Sequence, residues 1–181
     1  VSVSAAFAVV NRIDDFAYTP EQNIAHAMTA LMAQNKGAGK IDRMKEGFRC
    51  GIILETIYGI LIFIICFALA RPLMMMFVKD EEVIGHGVTY LHLISGMYLL
   101  PALTNGIQGF FRGIGDLKIT LISSFINMAL RVLAAAPLVF IWKMGIEALP
   151  YSYLAGWIGM LVAETPLLLK TYKTWGKKAR Q

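Results

Sequence analysis

The sequence has few charged residues for its length, and this shortage indicates the class of protein. Lysine and arginine number 17 and aspartate and glutamate 12 in 181 residues, so that 16% of the chain is charged while 57% is hydrophobic. Soluble domains carry about 25% charged residues. The composition therefore predicts a membrane protein rather than a soluble domain.

Cysteine is equally scarce. The two cysteines, Cys50 and Cys66, fall in one apolar segment, which excludes a disulfide framework. The chain begins at Val1 rather than at a methionine, and no basic and then apolar leader precedes the first apolar segment. We therefore expect these residues to be a piece of a longer chain.

Patterns for nucleotide binding, metal binding and catalysis are also lacking. The stretch AQNKGAGKIDRMKEG, residues 33–47, looks at first like a phosphate-binding loop, but Lys40 is followed by Ile41 and the required upstream glycine is absent. No set of His, Cys and Asp has the spacing of a metal site. No nucleophile and base converge on one helix face. We expect no enzyme activity, no metal and no organic cofactor.

Long apolar segments are what the chain does contain. A membrane-crossing helix needs about 20 mostly apolar residues, and four segments reach that length after a first segment that is more polar. The sequence predicts an all-α, polytopic membrane helix bundle with five transmembrane helices, over residues 4–35, 50–70, 88–111, 119–142 and 148–169.

Basic residues alternate between the connectors of these helices. The 36–49 connector, the connector after the third helix and the tail up to Arg180 are basic, whereas the two remaining connectors carry acidic residues such as Glu147. Cytoplasmic loops carry the excess of lysine and arginine. We expect the 36–49 turn and the C-terminus in the cytoplasm, with the chain in the plasma membrane. The net charge of +5 then needs no nucleic-acid partner.

The third predicted helix carries a polar stripe. Pro101, Thr104, Asn105, Gln108 and Arg112 share one face at helical spacing. The proline removes a backbone hydrogen bond and leaves the carbonyl of the residue four positions earlier free, so the helix can bend there. Such a stripe suits a wall that faces a solute in a cavity. The alternative is that these side chains bond neighbouring helices.

The first predicted helix has a similar face. Its polar members are Arg12, Asp15, Thr19, Asn23, His26 and Gln34, and Asp14 points away from them. A carboxylate at membrane depth binds a proton or pairs with a cation, so Asp15 is a candidate coupling-ion site. The alternative is an ion pair between Asp15 and Arg12. Pro20 interrupts this helix as Pro101 interrupts the third, and Asn23 and His26 are candidate cavity residues.

Three further charges lie within apolar segments. Glu55 and Glu164 stand near the predicted cytoplasmic ends of their helices, where the Glu55 carboxylate can reach the interface, and we assign both a structural role. Arg131 falls midway along its helix and needs a partner, either Asn127 or a carboxylate on another helix. Together with Arg12 these residues are predicted structural buried charges.

Three motifs in order resemble one family. The segments NRIDDFAYTPEQNIAHAMTALMAQNKGAGKIDRMKEG, FFRGIGDLKIT and LRVLAAAPLVF resemble the C-terminal lobe of multidrug and toxic compound extrusion (MATE) transporters, over nearly all of the chain. The resemblance implies two six-helix lobes, of which residues 1–181 form part of the second. It also implies export of organic cations and other drugs in exchange for protons or sodium ions.

The sequence departs from the family pattern in two places. Lys36 stands where an apolar residue is usual, and the helix before Arg112 lacks the acid that some members use to bind a cation. The expected function is efflux of amphipathic cationic compounds by cation antiport, with the N-terminal lobe and membrane lipid as partners. The alternatives are a lipid-linked sugar flippase of the same superfamily and a truncated fragment that does not transport.

Overall fold

A computed structural model describes residues 2–145 and 148–178 of the chain. Glu147 and Arg180, which entered the charge pattern, lie outside the described residues. Within them the chain forms seven helices and no strand. The helices are α1 (Ser2–Gly37), α2 (Ile41–Ala68), α3 (Ala70–Met75), α4 (Glu81–Ser95), α5 (Leu99–Gly113), α6 (Leu117–Phe140) and α7 (Ala148–Lys178).

The prediction of an all-α membrane bundle is confirmed. Three helices, α2, α6 and α7, are long and apolar enough to cross a membrane, and α4 with α5 forms a fourth such unit if the bent pair counts as one span. The helix α1 is not among them, because Arg12, Asp14, Asp15 and Glu21 make its first two thirds too polar.

Where the sequence predicts one helix over residues 88–111, the structure has two helices that are bent by 48°. Pro101 explains part of this break because it has no N–H for the carbonyl of Met97. The sequence predicts that this carbonyl is free, but in the structure it accepts a hydrogen bond from the N–H of Leu100 at 2.9 Å. The N–H of Tyr98 bonds the carbonyl of Ser95 at 3.2 Å in the same tight turn. In contrast, α1 continues through Pro20.

Two glycine turns end α1 and α5 in the same way. Gly39 and Gly115 have φ of 68° and 81°, a conformation that favours glycine. The N–H of Lys40 bonds the carbonyl of Asn35 at 2.9 Å, and the N–H of Asp116 bonds that of Phe111 at 2.9 Å. This six-to-one bond is the mark of the Schellman helix end. The GAGK stretch is therefore a turn that ends a helix, and not a phosphate-binding loop.

The helix α5 lies in the centre of the bundle, with α1, α2, α6 and α7 around it. It packs closely against α1 at Gly109, where an added Cβ atom would lie only 2.6 Å from the carbonyl oxygen of Ala25. The Thr29 hydroxyl, which also bonds within α1, donates to the carbonyl of Gly109 at 3.1 Å. Small residues at such crossings let membrane helices pack backbone to backbone.

Two apolar clusters lie at opposite ends of the bundle. One surrounds Ile13, Met74 and Tyr98, and the other surrounds Met32, Met44 and Phe110. The helices α1 and α2 contribute to both clusters, whereas α5 contributes only to the second. In the middle layer of the bundle, between the clusters, α1, α2 and α5 carry buried polar residues.

Candidate functional site

A polar cavity of about 200 Å³ opens between α1, α5, α6 and α7. Its lining combines hydroxyl, amide and aromatic groups from all four helices. The lining residues are Tyr18, Pro101, Thr104, Asn105, Gln108, Ser124, Asn127, Trp157 and Met160.

The polar stripe predicted on the third helix forms one wall of this cavity. Thr104, Asn105 and Gln108 line it together with Pro101. The Thr104 hydroxyl donates to the carbonyl of Pro101 at 3.0 Å, and the Gln108 amide donates to Oε1 of Glu164 on α7 at 3.3 Å. Gln108 therefore both lines the cavity and bonds a neighbouring helix, so the stripe can serve as a cavity wall and as a contact between helices.

Aromatic rings form the opposite side of the cavity. The Tyr18 ring stacks on Trp157 with centroids 6.3 Å apart, and Trp157 meets the edge of Tyr153 at 5.9 Å. The guanidinium of Arg131 lies 4.0 Å from the centroid of the Tyr153 ring. The partner of Arg131 is thus an aromatic face, and neither Asn127 nor a carboxylate forms a hydrogen bond or ion pair with it in the described part of the chain.

The predicted polar face of α1 does not reach the cavity. Arg12, Asp15, Asn23 and His26 are exposed because the opposite face of α1, with Val10, Ile13 and Ala17, packs into the apolar core. No ion pair joins Arg12 to Asp15 among the described residues.

Arg12 and Arg131, expected as buried charges, are both exposed in this chain. Arg12 lies on the outer face of α1, and Arg131 lies on α6, which packs mainly on α7 and leaves most of its own surface open.

Glu55 and Glu164 lie deeper than expected. Both are 0% exposed, so the Glu55 carboxyl group does not reach a membrane interface. It is held inside because Gly106 of α5 leaves space there: a Cβ atom added at Gly106 would lie 3.4 Å from the Cγ of Glu55. One oxygen of Glu164 bonds Gln108, and the other has no hydrogen-bond partner within residues 2–145 and 148–174.

Two acidic residues that the sequence did not single out lie inside the bundle. Asp14 accepts a hydrogen bond from the hydroxyl of Tyr98, and Glu21 is 0% exposed. They stand seven residues apart on α1 and therefore share a face. That spacing is the signal which could have identified the inner acidic face. No group of three or more His, Cys, Asp or Glu side chains in the described ranges is arranged to hold a metal ion.

Comparison with known proteins identifies the family. A sequence model of the MatE family matches residues 2–136. The chain is 28% identical to the probable multidrug resistance protein YoeA of Bacillus subtilis, over 98% of this chain and 38% of that protein. It is 24% identical to the probable multidrug resistance protein NorM of Thermotoga maritima, over 92% of this chain and 36% of that protein.

Solved structures share the fold. The chain superposes on the MATE transporter ClbM in complex with Rb+ with a TM-score of 0.86 and 16% identity, over 94% of this chain and 39% of that one. It superposes on an inward-facing multidrug resistance MATE family transporter of the MOP superfamily with a TM-score of 0.85 and 15% identity, over 91% of this chain and 37% of that one. The chain therefore spans less than two fifths of these relatives, and it belongs to the MatE family.

Proposed function

We propose that this chain is part of a secondary active transporter that exports amphipathic, cationic compounds in exchange for protons or sodium ions. The polar cavity between α1, α5, α6 and α7 carries the proposal. Its aromatic rings attract a cation through their faces, and its amides and hydroxyls orient a solute by hydrogen bonds. Among the described residues, no lysine or arginine lines it, which favours a cationic solute over the pyrophosphate of a lipid-linked sugar.

The curated relatives support the same proposal at the family level, since YoeA and NorM are described as probable multidrug resistance proteins. Because the chain spans 38% of YoeA, we expect transport to need a second lobe and surrounding lipid. We further propose that the protein lies in the plasma membrane with the 36–49 turn and the C-terminus in the cytoplasm, and that it uses neither a metal nor an organic cofactor.

The contribution of the α5 cavity wall to transport can be tested by measuring efflux. In the full-length protein, Asn105→Ala with Gln108→Ala is expected to lower export of a fluorescent cationic dye by about tenfold. Two buried polar contacts with a solute, each contributing about 0.7 kcal/mol, account for such a change. The measurement is dye accumulation in cells that lack other efflux pumps, with the amount of protein in the membrane determined by immunoblot.

The matched control is Gln22→Ala, an exposed amide on α1, which is expected to leave efflux unchanged. Wild-type efflux from the double variant would mean that the α5 stripe only packs helices together. Absence of dye export by the wild-type protein would reject the drug-export proposal and favour the flippase or a fragment that does not transport.

A further inference from the structure

Two glutamates lie fully buried in the middle layer of the bundle. Glu21 of α1 and Glu55 of α2 are each 0% exposed. None of their four carboxyl oxygens has a hydrogen-bond partner in the described part of the chain. An unpartnered carboxylate in a membrane interior is costly, so these side chains need a ligand that the described part of the chain does not provide.

The fold brings the two carboxyl groups together. Tyr58 of α2 donates to the carbonyl of Ala17 at 3.0 Å, which joins α1 to α2 one turn from Glu21. The Glu55 side chain turns inward against Gly106 of α5. Because Tyr58 stands one turn after Glu55 on α2, the Glu55 side chain lies level with Glu21, and its charge acts on the Glu21 carboxyl group. Two like charges at such a site repel and cannot both persist without a positive partner.

Asn105 connects this pair to the cavity. Its side chain lies next to the Glu21 carboxyl group but outside hydrogen-bond geometry, and its Nδ2 is buried without an acceptor. The same residue lines the polar cavity. A change of charge on the pair therefore acts on a side chain that a bound solute would touch.

The other titratable groups around the pair are tyrosines. Tyr18 of α1 and Tyr58 of α2 face Glu21. The basic residue of α5, Arg112, interacts with Glu164 instead. No ion pair of Glu21 or Glu55 with Lys, Arg or His occurs within residues 2–145 and 148–174. Within these residues the site thus has no lysine, arginine or histidine paired with it that could neutralise it.

We propose that Glu21 and Glu55 form a proton-binding site whose occupancy is coupled to the cavity through Asn105. This rests on the proposed export function and assigns its coupling ion to named residues. The pair takes one proton from water that reaches the cavity and returns it to water on the other side of the membrane. A proton suits a closed pair of carboxyl groups because it supplies the missing donor without needing room for further ligands.

The first experiment measures solute binding against pH. In the full-length protein in detergent, a cationic dye is expected to bind about tenfold more weakly at pH 6 than at pH 8, within the usual range for two coupled sites. Glu21→Gln with Glu55→Gln keeps the side-chain volume but removes both carboxyl groups, so the affinity should no longer depend on pH. The control Glu46→Gln, an exposed residue of α2, should keep the wild-type profile.

The second experiment measures proton flux in proteoliposomes that contain a pH-sensitive dye. Addition of solute should move protons through wild-type protein and through Glu46→Gln, and the double glutamine variant should lose this flux. If Asp15→Asn removes the flux while the double variant keeps it, the proposed site is wrong. The proposal of a proton site is also wrong if a sodium gradient at constant pH drives transport that depends on these glutamates, because the site would then bind sodium.

A third measurement uses only the wild-type protein and so remains informative if a variant does not fold. A hydrophobic carbodiimide reacts with protonated carboxyl groups in apolar surroundings, and mass spectrometry locates the adducts. Labelling of Glu21 or Glu55 should rise as the pH falls and should decrease when dye is bound. No labelling of either residue at any pH would overturn the proposal. Export of dye with an unchanged pH profile in the double variant would reject this site and leave the export function intact.

Discussion

A hydrogen bond holds the half-buried Asp14 against the break between α4 and α5. The Tyr98 hydroxyl donates to Asp14, and Tyr98 itself is 0% exposed. Removal of the hydroxyl in Tyr98→Phe leaves a half-buried carboxyl group without this donor. We expect the free energy of unfolding to fall by about 1–3 kcal/mol, measured by denaturant titration of the full-length protein in detergent. The control Tyr151→Phe removes a hydroxyl from a residue that is 40% exposed, and it should change little. Equal losses in the two variants would contradict a specific role for this bond.

Asp14 and Asp15 also show how far the sequence defines the site. Helical spacing correctly separates the two neighbours onto different faces, and it gathers Thr104, Asn105 and Gln108 on one side of α5. It does not say which face of α1 turns inward, since both faces carry polar residues. The meeting of Glu21, Glu55 and Asn105 comes from three helices that are far apart in the chain, and periodicity within one helix cannot reveal it.

The crossing of α1 and α5 depends on glycine at one point of contact. A Cβ atom at Gly109 would lie 2.6 Å from the carbonyl oxygen of Ala25, a backbone atom that cannot turn aside. Gly109→Ala should therefore push the helices apart and destabilise the protein by about 1–3 kcal/mol. Gly85→Ala is the matched control, because Gly85 is also helical and has nothing within 4 Å of the added atom. Alanine there should stabilise the helix by about 0.5–1 kcal/mol. Thermal unfolding of both variants measures the difference, and a shift of the same sign in both would refute the close-contact explanation.

The breaks between helices were less predictable than the helices. The apolar run over 88–111 gives no sign that the chain bends by 48°, because hydropathy is continuous across residues 96–98. Pro101 marks the place within a few residues, yet Pro20 has a similar setting in α1 and the helix continues through it. The difference lies in the local hydrogen bonds, because tight turns on either side of Met97 replace the hydrogen bond that Pro101 cannot make.

Across the whole molecule, the two Schellman turns are joined by a side chain. The Lys36 ammonium group, at the end of α1, donates to the carbonyl of Ile114 at the end of α5. This bond satisfies a carbonyl that the helix end leaves free. Both turns therefore lie at the same end of the bundle, in agreement with the alternation of basic connectors along the sequence.

That arrangement predicts the orientation of the chain in the membrane. The helix α2 has 28 residues and is about 42 Å long at 1.5 Å per residue, more than the roughly 30 Å hydrocarbon core. Lys40 before it and Lys79 after α3 should therefore lie on opposite sides of the membrane. The basic excess at the Lys40 end predicts that this end lies in the cytoplasm.

Cysteine labelling measures this orientation directly. In the full-length protein with Cys50→Ser and other accessible cysteines replaced, a membrane-impermeant maleimide added to intact cells should label Lys79→Cys and leave Lys40→Cys unlabelled. After permeabilisation both should react, because both positions are exposed in turns. Cys66 provides an internal check, since it is 1% exposed and should not react in the folded protein. Labelling of Lys40→Cys from outside would invert the orientation. The end of the bundle that carries the basic turns would then face outward, and solute export would have to begin at the other end.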